Sequence, residues 1–279
     1  FKIMTLLGAL FDYDGTIADT KGRQFEWYKE WARQNNVELK FEDGSIVDSN
    51  DLEGFLSQYN KIISQKGIVA VYNSFGLPCD FDAKDSKVWA SYNNFKHNYP
   101  VKIFDGMKES LEDIWEIGRL NSDSKRNRSL RLAINTTNNW GSIYPDLKRF
   151  GIDKLFDSYV TSETLKEFVG EGGKYEGVNK PSKVSVALML DILGSRGETT
   201  IHIGDTIVDL RASHDVRSHL GIKNENLITI GVTWGYDGYE ILSKGYDLKG
   251  DKGQSLGKLN FNHIVEHPSQ LSGIIKKYL

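Results

Sequence analysis

Two aspartates, Asp12 and Asp14, stand two residues apart where an apolar run gives out in "ALFDYDGTIADT" (residues 9–20). In extended chain, side chains at i and i+2 point to the same side, so both carboxylates can face one site. Two carboxylates left together repel each other, so something positive is expected between them. A hard cation such as Mg2+ suits such oxygen ligands. Asp-Gly is also ordinary turn chemistry after a strand, and the pair alone does not decide between a site and a turn.

Similar groups recur where other apolar segments end. Residues 130–134, apolar apart from Arg131, run into "NTTNN", which places Thr136 and Thr137 among hydroxyl and amide groups suited to phosphate oxygens. Residues 200–203 run into "GDTIVD", with Asp205 at the strand end and Asp209 four residues on. Between them, "NKPSK" places Lys180 before a proline that restricts the local backbone. Each has a bland counterpart. Thr136 can cap a helix, Lys180 can be solvated, and Asp205 can occupy a turn. Ligands of open parallel sheets bind beyond the carboxyl ends of the strands. Four bland coincidences at that same edge are much rarer than any one of them.

The elements that must position these groups are legible as periodicities. Leu6–Phe11 reads as a short buried strand. Residues 23–36 carry Phe25, Tyr28, Trp31 and Ala32 at helical spacing, and residues 106–118 carry Met107, Leu111, Ile114 and Trp115 likewise. A strand is expected at 130–134 and a short helix at 146–150, ended by Gly151. A short strand at 159–160, a helix at 182–193 and strands at 200–203 and 227–232 complete the pattern. Strands alternating with helices predict a parallel sheet covered on both faces. Residues 20–100 break the rhythm. They hold helical patterns and aromatics but no buried strand, and about 80 residues without a strand do not extend the same core. They read as an inserted helical module, with Pro100 near its exit.

Composition narrows the partners. With 279 residues the chain has room for one large domain, or for a core plus a smaller module. A formal net charge of −3 points to neither nucleic acid nor a membrane surface as partner. The apolar run at Leu6–Phe11 falls far short of the ~20 residues that span a bilayer. No charged leader with an apolar stretch and cleavage site is visible, although a first residue of Phe1 rather than Met leaves room for a missing leader or tag. Cys79 is the sole cysteine, which precludes an intrachain disulfide and fits a reducing, cytoplasmic setting. The basic tract at 118–131 reads as a solvated loop. The glycine-rich stretches at 170–177 and 250–258 lack P-loop spacing and read as flexible loops. His202, inside a strand, reads as a packed core histidine.

Taken together, the motifs resemble those of the haloacid dehalogenase-like superfamily. "FDYDGTIADT" resembles its first motif, D-x-D-G-T, and "LAINTT" resembles the second, apolar residues followed by Thr or Ser. "NKPS" is similar to the third, and "HIGDTIVD" to the fourth, G-D-x-x-x-D, in the same order across residues 10–209. "GVTWGYDGYEIL" (231–242) resembles the segment after the fifth strand in phosphoglycolate phosphatase-like members. The third motif lacks the second proline often seen, and the loops at 119–130 and 163–178 are long. The resemblance implies an α/β fold. A Rossmann-like doubly wound parallel sheet in the order 5-4-1-2-3 would form a core of residues 1–19 and 101–279. An α-helical cap of residues 20–100 would be inserted after the first motif.

The resemblance also implies a chemistry: Mg2+-dependent hydrolysis of a small phosphorylated metabolite through an aspartyl-phosphate. Asp12 would be the nucleophile and Asp14 the general acid and base. Thr136 would hydrogen-bond a phosphate oxygen, and Lys180 would offset charge on Asp12 and the transferring group. Asp12, Asp205 and the backbone carbonyl of Asp14 would hold the metal, with Asp209 orienting a metal-bound water or Lys180. Backbone N–H groups of Tyr13, Asp14 and Thr137 would cradle the phosphate. Asp14 favours phosphoryl transfer, since the carbon-attacking dehalogenases and phosphonate-cleaving members lack an acid there. Asp19-Thr20 is expected to cap the first cap helix. Arg23, Lys29, Arg33, Lys61 and Lys66 are the cap cations available for substrate. A phosphosugar mutase, or a catalytically silent phosphometabolite-binding protein on the same fold, would carry the same motifs.

Overall fold

The computed structural model describes residues 6–81, 83, 85–120, 130–170, 173–174, 177–195, 198–249 and 252–279. Most of the basic tract, residues 121–129, and parts of both glycine-rich stretches lie outside the described residues.

Strand β1 (Leu6–Phe11) is followed by a two-residue strand, β2 (Ala18–Asp19), and then by four helices: α1 (Lys21–Gln34), α2 (Leu52–Lys66), α3 (Ile68–Ser74) and α4 (Lys87–Lys96). Strand β3 (Lys102–Ile103) returns antiparallel to β2, so the helical stretch leaves and re-enters through adjacent strands. The alternating region follows. It comprises α5 (Met107–Leu120), β4 (Arg131–Asn135), α6 (Trp140–Phe150), β5 (Ser158–Val160), α7 (Ser162–Val169), α8 (Val184–Ile192), β6 (Thr199–Gly204), α9 (Ile207–Leu220) and β7 (Leu227–Val232). Helix α10 (Gly238–Lys244), an antiparallel pair β8 (Tyr246–Lys249) and β9 (Ser255–Leu259), β10 (His263–Val265) and α11 (Gln270–Ile275) complete the chain.

The main sheet is parallel throughout, in the order β10-β7-β6-β1-β4-β5. Its last five strands reproduce the order expected from the motifs. Strand β10, at the edge beside β7, is a sixth. It has only three residues, of which Val265 alone is buried, too short for a periodic signal. Every residue of β6 and β7 is buried, as a sheet covered on both faces requires. Alternation along β1 sorts the two layers. Ala9 and Phe11 face a cluster with α5, α6 and α11, including Leu111, Leu147 and Leu271. Leu10 faces Val186, Met189 and Val216 of α8 and α9. The four helices between β2 and β3 carry an apolar cluster of their own, rich in aromatics such as Trp27, Tyr28, Phe55 and Phe75.

Three local expectations fail for identifiable reasons. Helix α6 begins at Trp140, not near residue 146, and contains Pro145. Proline cannot donate to the carbonyl four residues back, which usually ends a helix. Here that carbonyl, on Gly141, accepts from the Lys96 ammonium of α4 instead. Residues 255–258, read as loop, belong to β9, whose mainly exposed residues give no apolar alternation. Thr20 is the residue before α1, but its hydroxyl makes no capping bond and pairs with the Tyr236 hydroxyl at 3.0 Å. Only Asp19 turns toward the helix, accepting from Lys21 N at 3.3 Å.

Candidate active site

Asp12 follows β1 and extends its ladder, donating its backbone N–H to Ile203 O at 2.9 Å. The chain then turns tightly. Ile17 and Ala18 N–H both donate to Tyr13 O at 3.0 Å, and Gly15 N–H donates to Ala18 O at 2.9 Å. Gly15 has φ +78°, and a Cβ there would fall 2.1 Å from Asp205 Oδ2. Glycine is required both by the turn and by the carboxylate beside it. A Cβ on Gly235 would meet the same oxygen at 2.2 Å, so Asp205 sits in a cradle of two side-chain-free positions.

Asp205 emerges from β6, and its carboxylate accepts from Tyr236 N at 2.7 Å and Thr16 Oγ1 at 3.2 Å. Asp209 lies in the first turn of α9, where Thr206 and Asp209 form a reciprocal capping box. Its Oδ2 accepts from Thr206 Oγ1 at 2.8 Å. Its Oδ1 accepts from Lys180 Nζ, also at 2.8 Å. The same ammonium donates to Asp12 Oδ1 at 2.8 Å. Lys180 therefore bridges the segments that follow β1 and β6 while being almost wholly buried.

Electrostatics at this edge are strained by burial. Burial pushes Asp12 up to about 7 against the pull of Lys180, with Asp209 and Asp14 adding to the rise. Burial, then Asp12 and Asp209, hold Asp205 well above the usual carboxylate range. Burial would raise Asp209 too, but Lys180 and its hydrogen bonds hold it below its ordinary value. Burial alone would lower Lys180, and the two carboxylates reverse that. Asp14 is raised by burial, moderated by Arg23 and by Asn138. Oxygens of Asp12, Asp205 and Asp209 lie within 4.8 Å of one another. His202 lies behind this cluster, its Nε2 3.8 Å from Asp209 Oδ1; burial holds it down at about 4 against the pull of Asp209, and its Nδ1 pairs with Ser213 Oγ at 2.6 Å.

The segment after β4 separates the two threonines. Thr137 lines the cavity that contains Asp12, Asp14 and Lys180, and Thr136 does not. Thr136 is buried, and its hydroxyl accepts from Asn138 N at 3.1 Å. Asn138, absent from the sequence-derived site, donates Nδ2 to Asp14 at 3.2 and 3.4 Å. The amide run "TTNN" was the available signal. Tyr13 turns its side chain away, donating its hydroxyl to Asp146 Oδ2 at 2.9 Å, so only its backbone remains near the site. None of Arg23, Lys29, Arg33, Lys61 and Lys66 lines the cavity. Arg23 is buried against Asp146 at 3.1 Å, while Lys29, Arg33 and Lys61 pair with Glu26, Glu30 and Glu42.

The family model described as haloacid dehalogenase-like hydrolase matches residues 9–220, which span Asp12, Asp14, Thr136, Thr137, Asn138, Lys180, Asp205 and Asp209. The chain belongs to the haloacid dehalogenase-like hydrolase family. Among curated relatives of this hydrolase, the pyrophosphatase PpaX of Halalkalibacterium halodurans is 27% identical over 216 residues, covering 73% of this chain and 84% of the relative. A PpaX of Caldanaerobacter subterraneus is 25% identical over 214 residues, covering 72% and 83%. Solved structures share the fold. A haloacid dehalogenase-like family protein from Streptococcus pneumoniae superposes with a TM-score of 0.56 at 17% identity, covering 97% of this chain and 98% of that one. A structure titled as a predicted phosphoglycolate phosphatase from Haemophilus somnus gives 0.57 at 16%, covering 97% and 98%. Among the described residues, no helix of this hydrolase is long and apolar enough to cross a membrane.

Proposed function

We propose that this hydrolase is a Mg2+-dependent phosphatase that cleaves a small phosphomonoester through an aspartyl-phosphate on Asp12. The observation that carries the proposal is the shared cavity of Asp12, held by Lys180 at one oxygen, and Asp14, an acid raised by burial. The names of the relatives, pyrophosphatase and phosphoglycolate phosphatase, support phosphate-ester or phosphate-anhydride hydrolysis.

The residues present fit a hard divalent cation. Three buried carboxylates face a single ammonium, and oxygen donors of this kind suit Mg2+. Asp12, Asp205 and the backbone carbonyl of Asp14 would hold it. Asp209 already serves Lys180 and Thr206, so it orients rather than ligates. When bound, the cation screens repulsion between an anionic nucleophile and the phosphoryl group.

The chain's own residues do the rest. The Asp12 carboxylate attacks phosphorus, and the bond from phosphorus to the ester oxygen breaks. Asp14 gives its proton to that oxygen, and burial favours its protonated form. Asp14 then takes a proton from the water that hydrolyses the phosphoryl-Asp12 bond. Asn138 holds Asp14 in place, Thr136 is the hydroxyl for a phosphate oxygen, and Thr137, which lines the cavity, contributes to the phosphate cradle. Residues 20–100 act as the cap over a core of 1–19 and 101–279, and lid closure excludes bulk water. A cytoplasmic setting accords with the single cysteine.

The test is phosphate release from a panel of phosphomonoesters with Mg2+, with intact-mass detection of a phosphoryl adduct. Absence of both release and adduct across the panel would overturn the reading.

A further inference from the structure

Away from the carboxylates, the cavity wall changes character. Trp27 of α1, Tyr59 of α2, Phe81, and Trp89 and Tyr92 of α4 line it, joined by Tyr236 from the segment after β7. We propose that this wall is a recognition subsite for a ring-bearing, uncharged leaving group, so that the substrate is a phosphomonoester of a cyclic alcohol and not pyrophosphate or a small polyanion. The inference rests on the phosphatase reading and names the substrate class for it.

Charge argues first. Among the described residues, Lys180 is the sole lysine or arginine lining the cavity, and it is already shared between Asp12 and Asp209. Arg23 is buried against Asp146 and does not line the cavity. A leaving group with its own negative charge would sit against aromatic carbon without a free cation, and an unpaired charge out of water is unfavourable. The relatives named as pyrophosphatases would have to release such a group. This chain's walls do not suit one.

Shape argues second. The aromatic walls are held in place. Trp27 Nε1 donates to Tyr72 Oη at 2.6 Å, Tyr59 stacks on Tyr236 with centroids 5.7 Å apart, and Trp89 meets Phe81 edge-on at 5.4 Å. Fixed aromatic surfaces favour offset stacking or edge-to-face contact with a further ring. The cavity volume is ≈ 130 Å³. An apolar cavity of roughly 150 Å³ takes one benzene molecule, so this cavity, whose volume includes the Asp12 and Asp14 end, admits no group larger than a single ring.

Benzyl and ethyl phosphate test the subsite, because both leave as simple primary alcohols and differ chiefly in the ring. With the full chain and Mg2+, kcat/KM for benzyl phosphate should exceed that for ethyl phosphate by about tenfold or more, mainly through KM. Pyrophosphate should be poorer than benzyl phosphate. Trp89→Leu removes one face, and Ile68→Trp, at the start of α3 where Ile68 also lines the cavity, fills the space. In either variant, once thermal melting shows it folded, the benzyl-to-ethyl ratio should fall toward one. A wild-type ratio near one, or preference for pyrophosphate, overturns the subsite while leaving the phosphatase reading intact. If no phosphate is released from any of the three, nor from an aryl phosphate, the phosphatase reading fails. Calorimetry with benzylphosphonate against ethylphosphonate then decides the subsite alone, and equal affinity overturns it.

Discussion

Lys96 donates its ammonium to the carbonyl of Gly141, the group in α6 that Pro145 leaves without a helical partner. Beside it, Ser142 Oγ donates to Asn93 Oδ1 at 2.9 Å. The contact between α4 and α6 is thus built around a defect in the α6 hydrogen-bond ladder. Burial lowers Lys96 to about 8, with Arg23 adding to the fall and Asp146 and Glu163 opposing it. Unfolded, the lysine regains its ordinary value of 10.5. Between those values the unfolded chain binds more protons, so Lys96 makes folding more favourable as pH rises from about 8 toward 10. Lys96→Met lacks this dependence. Urea unfolding should show the stability difference, wild type minus variant, rising over that window; a flat difference would refute the assignment.

Arg23 and Asp146 tie α1 to the same helix, α6, at 3.1 Å. Asp146 also accepts from Tyr13 and Arg149, while Arg23 Nε and Nη2 have no hydrogen-bond partner. Asp146→Ala strands a buried guanidinium, and a loss of about 3–5 kcal/mol is expected. Arg23→Met combined with Asp146→Leu should cost less than the two single changes summed, because no unpaired buried charge remains and Arg149, which also loses Asp146, is partly exposed. Strict additivity in the double-mutant cycle would mean that the pair is not coupled.

Asp12→Asn and Asp14→Asn should fail differently. Without the Asp12 carboxylate no adduct forms, and turnover should drop to background. Without the Asp14 proton donor and acceptor, turnover should fall on the order of 10²–10⁴-fold. With an aryl phosphate, whose leaving group needs little acid catalysis, Asp14→Asn should still give a burst of up to one equivalent, then slow turnover. Rapid quench with intact-mass measurement checks this. An adduct on Asp12→Asn would displace Asp12 as nucleophile.

Metal removal separates two effects. Excess chelator should abolish turnover and Mg2+ restore it. Ca2+ should inhibit, because its larger and more flexible shell lets Asp12 bind through both oxygens. Binding should also stabilise the fold, by about 2.7 kcal/mol at a hundred times Kd. The rise in melting temperature with Mg2+ should vanish in Asp205→Asn. Full activity in chelator, or an undiminished shift in that variant, would count against the site.

What the sequence determined by itself lies in short-range pattern. Asp12 and Asp14 two apart after a buried run, Asp205 and Asp209 after another, and Lys180 before Pro181 are spacings that backbone geometry turns into a shared edge. Alternation of strands and helices predicted the parallel sheet, and the resemblance to the haloacid dehalogenase-like superfamily implied the order of its five strands. Tertiary structure decided what local pattern does not encode. Pro145 predicts a helix end, and Lys96, 45 residues before Gly141 in the chain, supplies the partner for the Gly141 carbonyl as α6 runs through it. Arg23 reads as a free cap cation until Asp146, 123 residues away, claims it. Thr136 and Thr137 are equivalent in sequence. The bond from Thr136 N to Val160 O on the neighbouring strand leaves the next residue to line the cavity. The aromatics of residues 25–95 have helical spacing wherever they point. Which of them face Tyr236 and Lys180 depends on how four helices pack over the sheet edge, and that is set by contacts between segments distant in the chain.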